Sequence, residues 1–151
     1  MLKIAITVAK WQLHNWQMMM CSTEGAMSFI KGLGAVHAMS HAAGRIARLN
    51  LHHGTLNAVF LPAVLRFNAP NCEEKYERIR QAIGLAPGAD IAAAITAMNA
   101  DIGLPSGLQE MGVEEDDIPE MIAYAMKDLS ALTNPRTASE DDFEAMIHES
   151  F

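Results

Sequence analysis

The sequence predicts an all-α fold, a bundle of helices, on three observations. Apolar residues recur at helical rather than strand spacing, and no run with clear alternation appears after residue 10. Glycine and proline punctuate the chain at helix-sized intervals, at Gly32, Gly34, Gly84, Gly103 and Pro105. Capping residues stand where helix N-termini need them: Asp90, Asp117 with Glu120, and Ser139 with Asp142.

Residues 3–9, KIAITVA, fit either a short strand or a helix start. From about Trp11 to Ile30 the Met-, Gln- and Ala-rich sequence reads as a helix, with Trp16, Met20 and Met27 on its buried side. A second helix runs from about Ala35 to Leu49. At 100° per residue, Met39, Ala43 and Ile46 share one face with Val36 at its edge, and His37 and His41 lie roughly opposite. The turn Asn50–Gly54 leads into an apolar third helix, Thr55 to Asn68, which Pro62 should kink. Ala69-Pro70-Asn71 reads as a break before a fourth helix, Glu73 to Ile83, closed by Gly84. Residues 85–89 form a loop. Asp90 caps a helix from Ile91 to about Ile102. Asp117 and Glu120, with Pro119 in the first turn, start a helix to about Leu132. After the turn Thr133-Asn134-Pro135-Arg136, the box Ser139/Asp142 starts the last helix, to about Glu149.

At 151 residues this is one domain by size, and its 50% hydrophobic and 19% charged residues are ordinary for a globular protein. The 11 methionines read as adaptable core filler. Net charge is −7 but uneven: six Lys/Arg and one acid through Asn68, then five Lys/Arg and 17 acids. The acids are interleaved with apolar residues, which reads as solvated helix faces rather than an interaction tail. The basic part has no Lys/Arg run with interleaved aromatics, so nucleic acid is not an expected partner. Cys21 and Cys72 form no CxxC and read as buried thiols in a reducing compartment. No apolar run is long enough to span a membrane, and MLKIAITVAK lacks a signal-like cleavage site, so a cytoplasmic location is expected.

Four of the six histidines fall between residues 32 and 68. His37 and His41 are spaced to point the same way from one helix, and the small residues Ser40 and Gly44 beside them leave room for a ligand. His53, before Gly54 at a helix entrance, can swing towards them, and His52 is its neighbour. Neutral imidazole suits iron, zinc, copper or nickel. No acid lies between Glu24 and Glu73, so further ligands must come from elsewhere.

The segments KGLGAVHAMSHAAG and HHGTLNAVFLPAVLRFN closely resemble the iron-containing (group III) alcohol dehydrogenases, related to dehydroquinate synthase-like proteins. The resemblance extends from WQMMMCSTEGAMSF through the Tyr76–Gly84 helix, Ile102-Gly103-Leu104-Pro105 and the NPR turn. It implies a C-terminal helical metal-binding domain over 16–151, with 1–15 an extension outside the family.

It also implies roles: His37 and His53 as metal ligands, His41 in the cleft by the nicotinamide and tied to catalysis, and His52 as no general ligand. The implied reaction is reversible hydride transfer between an alcohol or aldehyde and NAD or NADP. Fe²⁺ or Zn²⁺ would polarise the substrate oxygen. The sequence departs from the family in lacking the Gly-rich dinucleotide-binding segment and the Asp-x-x-x-His that completes the metal site. It has Ala42-Ala43 where many members have Pro-Leu. The chain is therefore expected to be inactive without the N-terminal domain or a partner chain that supplies it, and to be prone to self-association. The alternatives are a non-catalytic helical interaction module and one half of a split enzyme.

Overall fold

The computed structural model describes the backbone of residues 2–151 and the side chains of residues 13–151. The chain forms two compact units, one ending at Gly32 and the other beginning at Leu33. Among the described residues all regular structure is helical, as the sequence predicts.

The first unit is one long helix, α1 (Leu2–Met27), followed by a 3-10 turn at Ser28–Lys31. Residues 3–9 are helical in backbone, not a strand. Trp16, Met20 and Met27 are exposed by 62%, 40% and 71%, which corrects their expected burial. Helical spacing identifies a face but not a partner, and within its own unit a single helix has no second element to bury it against. Cys21 is exposed for the same reason, whereas Cys72 is buried as expected.

The second unit is built around α2 (Gly34–Gly44). Its Ala35, Ala38, Ala42 and Ala43 are buried, and these small side chains let α3 (His53–Ala82) and α5 (Ile118–Ala125) approach closely. Met39 joins Leu56, Phe60, Leu108, Met121, Phe143 and Ile147 in the core. Three methionines (Met39, Met121, Met146) thus serve as core filler, but Met98 and Met126 are exposed, as are the Met residues of α1. α2 stops at Gly44 rather than Leu49; the chain then turns, and Asn50 takes a left-handed φ of 46°.

The largest departure is α3. The expected break at Ala69-Pro70-Asn71 is absent, and one helix of 30 residues carries both Pro62 and Pro70. A proline inside a helix leaves the carbonyl four residues earlier without its N–H donor. For Pro62 that carbonyl is Ala58, and Asn99 of α4 (Ile91–Asp101) donates its amide to it at 2.8 Å. Around Pro70, Tyr76 donates to the Leu65 carbonyl at 3.1 Å and Arg136 to that of Phe67 at 3.0 Å. At Pro62 a side chain from another helix thus serves the carbonyl left without its N–H, whereas the bonds around Pro70 go to the carbonyls on either side of Arg66, the residue four before it.

The caps behave as read at two of three sites. Asp90 accepts from the Ala93 N–H at 3.0 Å, and Ser139 with Asp142 forms a capping box for α6 (Glu140–Glu149). At α5 the box lies one turn earlier: Glu114 pairs with Asp117 around a 3-10 turn at Glu115–Asp117, not Asp117 with Glu120. α5 ends at Ala125, not Leu132, because Asp128 caps a separate 3-10 turn, Leu129–Thr133. No described helix is long and apolar enough to cross a membrane.

Candidate functional site

Three of the singled-out histidines meet. His37 and His41 project from α2 and His53 from the first residue of α3. Their ring centroids lie 5.8 Å (37–41), 5.2 Å (37–53) and 5.2 Å (41–53) apart. The helical spacing of the first two brings them together, and the turn before α3 delivers the third.

Hydrogen bonds fix two of the rings. Ser40 is fully buried. Its hydroxyl donates to the His37 carbonyl at 3.2 Å and lies 3.2 Å from His53 Nδ1. A serine hydroxyl has one proton, so with that proton on the carbonyl its oxygen accepts from Nδ1–H, and the lone pair of His53 is left on Nε2. His41 Nδ1 lies 2.9 Å from Asp128 Oδ2. A carboxylate only accepts, so Nδ1 carries the proton and Nε2 is again the open nitrogen. Asp128 is itself held by donation from the Ser130 N–H at 2.8 Å. Burial pushes the Asp128 carboxyl up, but the Ser130 N–H and the His41 ring outweigh it and hold the group below its usual value.

Burial lowers the pKa of His37, and the neighbouring rings of His53 and His41 lower it further. Burial likewise lowers His53, reinforced by His41 and His52. Both shifts favour the neutral imidazole that a metal requires. His52 does other work: its ring accepts from the Thr55 N–H at 3.3 Å and caps α3. A Cβ at Gly54 would lie 3.0 Å from that ring, so the glycine leaves it room.

The fit to a metal ion is partial. Imidazoles bound to one tetrahedral ion, with nitrogens at about 2.1 Å, would place their ring centroids about 5 Å apart. The observed spacing is close to this, and Ser40 leaves Nε2 of His53 as the donor. Yet among the described residues no three His, Cys, Asp or Glu side chains are arranged as a ready ligand set. His37 and His53 therefore suit a metal as part of a donor set. One turn beyond His53, Asn57 has a buried side-chain oxygen without a hydrogen-bond partner.

Sequence reasoning missed Asp128, Ser40 as the orienting group, and Asn134. Asp128 had a signal: Asp followed two residues later by Ser is a local cap pattern, here hidden inside an expected helix. Asn134 accepts from the Ala35 N–H at 3.1 Å and exchanges amide bonds of 2.7 and 3.1 Å with Asn68. It ties the start of α2 to α3, two residues before His37.

Beyond the imidazoles, the segment that follows α2 continues as a ladder against α5 and the turn before it. Arg45 stacks over the Tyr124 ring at 3.9 Å, and Arg48 pairs with Asp117 through two bonds of 2.8 and 2.7 Å. Between them opens a cleft of about 250 Å³ lined by Ala42, Arg45, Arg48, Asp117, Glu120 and Tyr124, among others.

Comparisons with known proteins cover most of the chain. Residues 9–151 match the C-terminal part of the Fe-containing alcohol dehydrogenase family. The match begins inside the segment that the sequence set aside as an extension. The chain is 49% identical over 140 residues to a 4-hydroxybutyrate dehydrogenase from Cupriavidus necator, covering 88% of this chain and 37% of that protein. It is 38% identical over 127 residues to a 1,3-propanediol dehydrogenase from Klebsiella pneumoniae, covering 79% and 32%. Among solved structures it matches a 1,3-propanediol oxidoreductase with a TM-score of 0.73 and 36% identity, over 78% of this chain and 32% of that one. The chain thus spans about a third of the length of these relatives.

Proposed function

The chain belongs to the iron-containing alcohol dehydrogenase family, whose C-terminal helical domain it matches, and we propose that it supplies the metal-binding half of an enzyme that moves hydride reversibly between an alcohol and NAD or NADP. The observation that carries the reading is the meeting of His37, His41 and His53 from two helices, with Ser40 and Asp128 fixing which nitrogen stays open on two of them.

His37 and His53 would hold the ion, Fe²⁺ or Zn²⁺. Bound there, it supplies Lewis-acid polarisation of the substrate oxygen, while the dinucleotide carries the hydride. His41, its Nδ1–H directed at Asp128, keeps Nε2 open to accept the proton released as the alcohol is oxidised and to return it in the reverse direction. Asp128 is a positioning residue. The remaining ligands and the dinucleotide fold come from an N-terminal domain, so the isolated chain turns over no alcohol.

The test has two parts. In an anaerobic titration with Fe²⁺ and with Zn²⁺, His37→Ala and His53→Ala should each weaken binding at least tenfold. Supplied with the remaining N-terminal part of a relative, fused or as a separate chain, the protein should gain NAD(P)-dependent alcohol oxidation, which His41→Ala removes. Metal binding indifferent to both alanines would favour instead a non-catalytic helical module, a reading that draws on the lack of a ready three-ligand set among the described residues.

A further inference from the structure

We propose that Arg45 reads a carboxylate on the substrate, so that this site prefers a short hydroxy acid or oxo acid to an uncharged alcohol; the proposal rests on the hydride-transfer reading above. Arg45 follows His37 and His41 at helical spacing, and as the residue after α2 it keeps right-handed helical angles, φ −77° and ψ −15°. Its side chain therefore continues the histidine face, about one 5.4 Å pitch beyond His41. The facing residues run the other way along the chain: His41 meets Asp128, Arg45 meets Tyr124, and Arg48 meets Asp117.

The charges along this ladder differ in availability. Arg48 is engaged by both oxygens of Asp117 and lies 3.7 Å from Glu114. Arg45 forms no carboxylate ion pair among the described residues; its guanidinium rests on the face of Tyr124. Stacking leaves the guanidinium edge, with its forked N–H donors, open to a carboxylate in the same plane. Of the cleft's two acids, Asp117 is paired with Arg48, and Glu120 lies a helical turn before Tyr124 in α5, on the side away from Asp128. A carboxylate that reaches Arg45 past His41 therefore comes from the end opposite Glu120.

Length selects the ligand. Arg45 stands four residues after His41, one helical turn along the same face, so a short acid whose hydroxyl is held at the imidazoles extends its other end towards it. A site built to pair a charged group discriminates strongly against the analogue that lacks it.

A dinucleotide phosphate presents similar anionic chemistry, so the test separates the two. The 151-residue chain is titrated with 4-hydroxybutyrate, with 1,4-butanediol and with inorganic phosphate, while the Arg45 Nε–H resonance is followed by NMR. The expected result is a saturable shift with the hydroxy acid, none with the diol and a weaker one with phosphate. Arg45→Gln should lose at least tenfold in acid binding, and Arg45→Lys should keep part of it. Equal response to acid and diol, phosphate binding as tight as the acid's, or an unaffected Arg45→Gln would each overturn the proposal. This readout needs no turnover, so it stands apart from failure of the dehydrogenase reading. In an assembled active enzyme, Arg45→Gln should also move the kcat/KM ratio at least tenfold from hydroxy acid towards diol.

Discussion

Asn99 and Pro62 give a sharp test of how α3 survives its prolines. Pro62 has no N–H, so the Ala58 carbonyl depends on the Asn99 amide at 2.8 Å. Asn99 is 8% exposed, so Asn99→Ala removes a buried donor and orphans a backbone acceptor. The lost bond and the stranded carbonyl together should cost about 1–3 kcal/mol. The cleft beside Val59, Pro62 and Asn99 lets water approach, which sets the lower end of the range at about 1 kcal/mol. Pro62→Ala restores an N–H at the right place but removes buried ring volume, so alone it should change stability little. In the double variant the new N–H serves the carbonyl that Asn99 has left. The Asn99→Ala cost should then fall by at least about 1 kcal/mol, a coupling that urea denaturation of the four proteins measures directly. Strict additivity, within about 0.5 kcal/mol, would refute the account of how α3 passes Pro62.

Asn134→Ala removes the acceptor of the Ala35 N–H, both bonds to Asn68 and a donation to the Arg136 carbonyl; it should cost about 2–4 kcal/mol by denaturation. It should also weaken metal binding, because α2 loses its anchor. A loss under about 1 kcal/mol would show that the NPR turn does not hold α2. Gly107→Ala would place a Cβ 2.6 Å from the Phe151 carbonyl oxygen and 3.0 Å from that of Ser150, both backbone, where Leu108 N–H also bonds Ser150 at 2.8 Å. The C-terminal segment must shift, and thermal unfolding should report a loss of about 2 kcal/mol or more; an unchanged midpoint would contradict the packing. The Ser139 backbone N–H and hydroxyl, with Arg136, hold Asp142 below its usual 3.8. Its stabilising contribution is thus full above about pH 4 and fades as pH falls through the lower folded-state value. Asp142→Asn should flatten the acid limb of the stability–pH curve; an identical slope below pH 4 would remove the capping carboxylate from that account.

What the sequence made legible was local. Asp90 and the Ser139/Asp142 box cap within three residues of themselves, so their chemistry is visible in a short window. The face of α2 was legible for the same reason: Met39 and Ala43 go inwards while His41 stays exposed. The misread elements depend on distant partners. α3 runs through both prolines, and at Pro62 the donor that serves the Ala58 carbonyl comes from Asn99, 41 residues away. α5 looked longer because the short Asp128–Ser130 cap sits inside a helical pattern, and His41, which Asp128 meets, is 87 residues back. α1 looked half-buried because a periodic apolar face says nothing about what covers it.

The same division runs through the candidate site. His37 and His41 are legible as a pair because one helix spaces them, but a ring's position does not say which nitrogen is open. That choice is made by Ser40, through a proton already given to the His37 carbonyl, and by Asp128, through a carboxylate that can only accept. Asn134 sets the starting point of the helix that carries two of the rings. These supports are single polar contacts in a small, alanine-lined interface. A change that leaves all three histidines in place can therefore still disable the site. Asp128→Asn is the clearest case: the amide can still accept from Nδ1–H but carries no charge, so it should leave metal affinity near its original value. It should reduce hydride transfer in the assembled enzyme by at least tenfold, and an undiminished rate would mean that His41 needs no carboxylate to move its proton.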